Sequence, residues 1–467
     1  MAYFPQDEDD LMLRIPLGKT PRYCDGLSRR SFVQVGLAGM GALGLGDVLR
    51  GRAAAETSGK QTSMILIWLD GGPSHHDTYD PKPNAPAEYR GIWSPISTNV
   101  SGMDITELFP LQAQIGHLFS IVRSVHHDTG DHFTGGHWML TGRGGASGAN
   151  TEQQYPFFGS IAGKVLGARK SGMPANVCVP YAMSIGLRPG YFGGHYLGVE
   201  QNPFETDGDP NADNFQVTNM SPVTGLTLDR LSDRRSLNAT LDGARRQLDK
   251  PGLADAIDQF DQQAFDLVTG SKAREAFNIS LESPEMRERY GRNSWGQSAL
   301  LARRLVEAGS TVVTCHLGGW DTHWDHGSAM QSYLPRVDRL VHGLLTDLNE
   351  RGLLDTTLVM LCGEFSRTPR MNDGGNGGPP MSKGTPGRDH WGSALSVLMA
   401  GGGLKGGQVV GATNRLGEHP AERPLRPGDL HHTIFQTLGI APDIAFLNPA
   451  GRPIPAIDHG EVISELV

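Results

Sequence analysis

Met64-Ile65-Leu66-Ile67-Trp68-Leu69-Asp70-Gly71-Gly72 is an unbroken apolar run that ends in an acid and two glycines. A continuous run of this length, rather than an alternating one, reads as a strand of a parallel sheet buried on both faces, with Asp70 at its carboxyl end. Two later stretches repeat the design: Thr311 to Leu317 runs into Gly318-Gly319-Trp320-Asp321, and Thr357 to Cys362 runs into Gly363-Glu364. Each strand carries a carboxylate into a glycine-bearing loop. In open α/β sheets the ligand crevice lies beyond the carboxyl ends of the strands, so Asp70, Asp321 and Glu364 are expected to converge there. Between these strands, Ser298 to Ala308 and Tyr333 to Glu350 show the apolar spacing of helices and end before a glycine and a new strand. The pattern predicts an α/β fold with a mainly parallel sheet and helices on both faces.

The wider chain fits a folded protein. Its 467 residues are 38% hydrophobic and 19% charged, away from the composition of disorder. With 41 Lys and Arg against 50 Asp and Glu, the net charge of −9 excludes a basic nucleic-acid binder. The 62 glycines and 30 prolines predict extensive ordered loop, where sites tend to be built. Cys24, Cys178, Cys315 and Cys362 are too widely spaced for a disulfide framework or a metal knuckle, and the last two read as buried, inert thiols.

Near the start, Ser28-Arg29-Arg30-Ser31-Phe32-Val33 precedes a short apolar run rich in Gly and Ala, and Ala53-Ala54-Ala55 follows. This reads as a twin-arginine signal peptide over residues 1–55, with the run too short to span a membrane. The mature chain keeps all 17 histidines and is more acidic still, with 34 basic and 44 acidic residues. The expected setting is the periplasm or the cell exterior, reached through the twin-arginine export machinery, with no membrane span in the mature chain. Residues 56–467 read as a single domain. Within it, residues 144–290 read as an inserted loop and helical region packed beside the sheet, charged and helical from Leu228 to Arg289.

The chemistry gathers in four phrases: Asp70 to Asp77 with His75 and His76; His126-His127-Asp128-Thr129-Gly130-Asp131-His132; Asp321-Thr322-His323-Trp324-Asp325-His326; and Arg388-Asp389-His390. Imidazole with carboxylate at strand ends is a ligand set for zinc, manganese or iron, whereas calcium asks for oxygens nearly alone. Asp70, Asp321, Glu364, His323 and His390 are the expected ligands of one or two divalent metals. Zinc or manganese is expected first, with iron or calcium as alternatives. His75, His76, His126 and His127 are expected to support the ligands or face substrate, and His431 and His432 to open a helix without a chemical role. Arg367 and Arg388 either clamp an anionic oxygen or pair with Glu364 or Asp389.

The phrases in order, from Leu69-Asp70-Gly71-Gly72-Pro73-Ser74 through Met139-Leu140-Thr141-Gly142-Arg143, Gly319-Trp320-Asp321-Thr322-His323 and Gly363-Glu364-Phe365-Ser366-Arg367-Thr368-Pro369 to Gly387-Arg388-Asp389-His390-Trp391, resemble the exported proteins grouped as "domain of unknown function 1501". That family is related to the alkaline phosphatase and sulfatase superfamily, and the resemblance implies an alkaline phosphatase-like fold. Carried over residue by residue, Asp70 matches the acid that ends the first strand, Asp321 with His323 resembles the middle pair, and His390 the final loop histidine. Glu364-Phe365 stands where the superfamily has Asp-His, so one imidazole is missing there. The superfamily's nucleophile stands about nine residues before a Thr-Gly, and counting back from Thr141 reaches His132, with Thr134 the nearest hydroxyl. Three options stay open: Thr134 attacks, His132 is ligand or nucleophile, or metal-bound water attacks directly.

The expected function is an exported metal-dependent hydrolase of phosphate or sulfate esters on a small molecule or polysaccharide, with Arg367 steadying the reacting group. The alternative is a non-enzymatic binding or cell-envelope protein on the same fold, its active site remodelled.

Overall fold

The structure is a computed structural model that describes residues 61–145, 153–184, 186–217, 270–373 and 384–467. The expected signal peptide, residues 1–55, and residues 218–269 of the expected helical stretch lie outside the described residues.

The apolar run at the start forms strand β1 (Ser63–Asp70), every residue of which is buried. It is the centre of an eight-stranded sheet. The strands are β1, β2 (Phe119–Val125), β3 (Asn176–Val179), β4 (Phe204–Glu205), β5 (Val312–Gly318), β6 (Thr357–Cys362), β9 (Leu395–Ala400) and β10 (Val409–Val410), with a small ribbon of β7 (Ser366–Arg367) and β8 (His390–Trp391) outside it. The order across the sheet is β10-β2-β9-β6-β1-β5-β3-β4. Strand β1 runs parallel to both β5 and β6, in a register that sets Asp70 beside Gly318 and Trp68 beside Cys362. Strand β9 is antiparallel to both of its neighbours. Two-sided burial explains the unbroken hydrophobicity of β1. Ile65, Ile67 and Leu69 enter one core with helices α3 (Ser294–Ala308) and α4 (His326–Glu350). Met64, Leu66 and Trp68 enter the other with α1 (His132–Thr141), α2 (Phe158–Leu166) and α5 (Pro427–Leu438).

Both expected helices begin earlier than their apolar spacing predicts. Asn293 caps α3 by accepting from the Trp295 and Gly296 amides at 3.1 Å. In α4 the buried stripe continues back through Leu334 and Met330 to His326, at helical spacing but with a histidine that reads as polar. Residues 153–217, expected to pack beside the sheet, instead supply α2 and two of its strands, β3 and β4. These strands are short and set among Gly, Pro and Asn, which hides them from a reading based on apolar runs. The last part of the same region forms short helices at Ser271–Phe277 and Pro284–Tyr290. Among the described residues no helix is long and apolar enough to cross a membrane, and Cys178, Cys315 and Cys362 are buried and unpaired with one another.

Candidate functional site

The three central strands β6, β1 and β5 end side by side, and the loops that leave them lock together. Glu364 follows β6, and its buried carboxylate accepts the Gly71 amide at 2.9 and 3.1 Å. The Trp320 amide donates to the Asp70 carbonyl at 3.1 Å, tying the loop after β5 to β1. Gly71 has φ +115°, and a Cβ there would lie 2.4 Å from the Asp321 nitrogen. The turn therefore demands glycine both for its dihedral and for the space that Asp321 occupies.

Asp321 is the centre of the site. His323 Nε2 lies 3.0 Å from its Oδ1, His390 Nε2 also 3.0 Å from Oδ1, and His132 Nε2 3.4 Å from Oδ2. Each imidazole arrives from a different element. His132 is the first residue of α1, whose cap Asp131 accepts the Thr134 amide at 2.9 Å. His390 is held on the ribbon directly opposite Arg367, and His323 lies in the loop after β5. In all three the far nitrogen is tied back: His132 Nδ1 to Glu364 Oε1 at 2.7 Å, His323 Nδ1 to Asp389 Oδ1 at 2.7 Å, and His390 Nδ1 to the Gly130 carbonyl at 2.7 Å. Carboxylates and carbonyls accept, so each Nδ1 carries a proton, and in the neutral form of each ring Nε2 presents a lone pair toward Asp321. His323 Nε2 and His390 Nε2 are themselves only 2.9 Å apart. With the rings neutral, these acceptors face one another around Asp321 beside the Arg367 guanidinium, an arrangement that protonation of a ring or a bound metal ion resolves.

The protonation tendencies follow from that crowding. Burial works against charge on His132, but its bonds to Asp321 and Glu364 outweigh it and push the imidazole up to about 9. Burial would raise Asp321, yet the three imidazoles and Arg367 hold it well below the usual carboxylate range. Burial raises Glu364, partly opposed by His132 and reinforced by Asp70. Phe365 walls the cluster, with its ring 4.5 Å from that of His390 and 4.8 Å from that of His132.

Nitrogen and oxygen atoms of His132, Asp321 and His390 all lie within 4.8 Å of one another. Imidazole Nε2 atoms with one carboxylate, each ring fixed through Nδ1, fit zinc, manganese or iron. Calcium, which takes oxygens, fits this nitrogen-rich set poorly. Asp321 is 45% exposed while the imidazoles are 14 to 21% exposed, so the cluster opens to solvent on one side.

Of the expected ligands, the structure brings Asp321, His323 and His390 together and adds His132. Glu364 reaches the cluster through His132. Asp70 has other partners: its Oδ1 accepts Trp68 Nε1 at 3.0 Å, and its Oδ2 lies 3.2 Å from His316 Nε2. His316 lies inside an apolar run, which concealed it as a site residue. Thr134 Oγ1 donates to Asp131 Oδ1 at 3.1 Å, in the capping turn of α1. Arg367 is fully buried and is not a free clamp. Its guanidinium binds the Gly71 and Gly72 carbonyls and meets Asp321 Oδ1 at 2.7 Å. Arg388, expected to pair with Asp389 or bind an anion, instead pairs with buried Asp77 at 3.0 Å. Asp77 also lies 2.9 Å from His326 Nε2, and His326 Nδ1 meets the Thr322 hydroxyl at 2.7 Å. His75 and His127 bond the Gly417 and Glu364 carbonyls from buried positions, and burial lowers both to about 4. His431 is likewise buried, bonding the Met139 carbonyl at 2.9 Å from within α5. Asp389 and Gly130, which orient two of the imidazoles, were missed as site groups. The only signal in the sequence was Asp389 standing next to His390.

Residues 61–467 match the model of a family described as "Protein of unknown function (DUF1501)". No curated protein matches the chain. Among solved structures, a sulfatase from Pseudoalteromonas sp. is similar at 12% identity, with a TM-score of 0.36, covering 84% of this chain and 71% of that one. A phosphonate monoester hydrolase from Silicibacter pomeroyi is similar at 12% identity and a TM-score of 0.35, covering 86% of this chain and 76% of that one. The TAB5 alkaline phosphatase is similar at 12% identity and a TM-score of 0.35, covering 82% of this chain and 99% of that one.

Proposed function

The chain belongs to the DUF1501 family, and we propose that it is an exported, metal-dependent hydrolase of phosphate or sulfate esters. The observation that carries this reading is the convergence of three imidazole Nε2 atoms on Asp321, each fixed by a partner on Nδ1. Four such groups from three separate segments, the loop after β5, the start of α1 and the ribbon, are costly to hold together unless a cation meets them.

His132, Asp321, His323 and His390 would hold the metal, with zinc, manganese or iron as the ions that fit. When bound, the metal supplies Lewis acidity, polarising an ester oxygen and stabilising charge at the transferring group. The remaining work belongs to the chain. Glu364, Asp389 and the Gly130 carbonyl hold the three rings in one tautomer. Arg367 fixes Asp321 and the Gly71-Gly72 turn instead of meeting substrate oxygens. Phe365 excludes water from the inner side of the rings, and the exposed edge of Asp321 admits substrate. His132 supports a ligand role, and the place of the Thr134 hydroxyl in the helix cap favours attack by water over a covalent threonine step. For residues 1–55 we keep the twin-arginine reading, and with it delivery to the periplasm or the cell exterior.

The capped Thr134 also favours a second reading, a remodelled binding or cell-envelope protein that keeps the cluster without turnover. Hydrolysis of 4-nitrophenyl phosphate, phenylphosphonate and sulfate esters, measured with each metal and after chelation, separates the two. Chelator-sensitive turnover lost in Asp321→Ala supports the hydrolase. Folded, metal-loaded protein no faster than His390→Ala on any of these esters would leave the binding protein standing.

A further inference from the structure

An open cavity of about 420 Å³ lies against the outer side of Asp321, between the loop after β5 and the first turns of α4. Its wall includes Gly319, Asp321, Trp324, Asp325, Ser332 and Tyr333. The volume is in the range of small-ligand pockets. Because Asp321 belongs both to this wall and to the imidazole cluster, a molecule seated here has one end at the candidate centre.

The lining is unusual for a protein proposed to act on anionic esters. It contains two carboxylates, hydroxyls from serine, threonine and tyrosine, and one indole, with no Lys, Arg or His among the lining residues. Such a wall offers a second sulfate or phosphate no cationic partner, while its mixture of acceptors and donor hydroxyls matches alcohol groups. The aromatic surface is held in place. The Trp324 ring stacks on His323 with centroids 6.2 Å apart and planes at 23°, and the Tyr333 ring packs against Trp295 at 5.1 Å and Trp320 at 5.4 Å. A fixed flat ring offers an apolar platform for the C–H face of a cyclic alcohol at little entropic cost. Gly319 keeps that wall open: with φ +103°, it has no side chain where a Cβ would come within 3.1 Å of the Tyr333 hydroxyl. An ammonium group would also be drawn to carboxylates. However, Asp321 is already met by Arg367 at 2.7 Å and by the imidazoles, which leaves exposed Asp325 as the uncompensated charge and a weak field for a cation.

We infer that this cavity binds a neutral, hydroxyl-rich group, a sugar or cyclic polyol, as the alcohol portion of the ester. The inference rests on the hydrolase reading for the word ester, but the binding itself does not require turnover.

The test is saturation-transfer NMR and calorimetry on the full chain with glucose, galactose, inositol and cellobiose, with choline chloride as the charged probe. Wild type, Trp324→Ala, Ser332→Phe and His390→Ala are compared. Ser332 is exposed on α4, so Ser332→Phe fills the cavity without touching the core. The expected result is binding of at least one neutral probe, weakened about tenfold or more in Trp324→Ala and Ser332→Phe. The same binding persists in His390→Ala, where hydrolysis is lost. Preference for choline, no binding of any neutral probe, or neutral binding that survives both cavity variants would overturn the inference. Saccharide binding without turnover would count against the hydrolase reading alone. Turnover of simple esters without saccharide binding would count against this inference alone.

Discussion

His323 Nε2 and His390 Nε2 lie 2.9 Å apart, and each ring is oriented by an acceptor on its other nitrogen, Asp389 for one and the Gly130 carbonyl for the other. Two lone pairs at that distance repel unless a proton or a metal ion stands between or beside them. The pair therefore serves as a reporter of whether the site is built for a cation.

Asp389 is the orienting group most easily removed without touching an expected ligand. Asp389→Ala frees the His323 ring to rotate and to change tautomer, and affinity for zinc or manganese should fall by about 10- to 100-fold. Competition titration with a metal-sensitive dye measures it. Unchanged affinity would show that Asp389 does not govern the ring.

Gly71→Ala tests the turn that joins the three strand ends. The substitution forces a side chain onto φ +115° and against the Asp321 amide at 2.4 Å. It should cost at least about 1 kcal/mol of stability from the dihedral alone and displace Asp321 from the imidazoles. The melting temperature and metal content should both fall. A fully metallated, equally stable variant would contradict the role given to the turn.

Asp77 and Arg388 are a fully buried pair at 3.0 Å, with His326 on the same carboxylate. Asp77→Ala leaves a buried guanidinium without its counter-charge and should destabilise by about 3–5 kcal/mol. Denaturant unfolding reads this directly. A loss below about 1 kcal/mol would mean that the backbone carbonyls around Arg388 suffice.

Asp338 gives a pH signature away from the cluster. Its carboxylate accepts the Leu111 and Gln112 amides at 2.9 and 2.8 Å, which lowers its pKa, but burial prevails and raises it to about 6. A folded-state value above the unfolded one means that the native state binds the extra proton between about pH 4 and 6. The carboxylate's contribution should therefore be most favourable below that window and decline as pH rises through it. Asp338→Asn should remove this slope from a plot of unfolding free energy against pH, and an identical slope in both proteins would refute it.

Much of the fold was legible because β1, β5 and β6 are buried on both faces and so write themselves as continuous apolar runs. Strands β3 and β4 were not, since strands of four and two residues among turn-formers leave no periodic signal. In the candidate site, Asp321 and His323 were legible from their place after a strand and beside glycines, and His390 from its Arg388-Asp389-His390 phrase. The spacing from Thr141-Gly142 pointed to His132 but left its role open. The partners of Arg367 and Arg388 were not legible. A long side chain chooses among carbonyls and carboxylates that the tertiary fold brings together, and here Arg367 reached back to Gly71 and Gly72 and across to Asp321. His316 faces Asp70 from within a strand that local sequence reads as core.

The most direct measurement of the central claim is elemental analysis of the protein, purified without a histidine tag or added metal, beside Asp321→Ala and His390→Ala. The account predicts near-stoichiometric zinc, manganese or iron in the wild type and its loss from both variants while they stay folded. Stably folded wild-type protein that carries none of these ions, and takes up none when they are added, would contradict it.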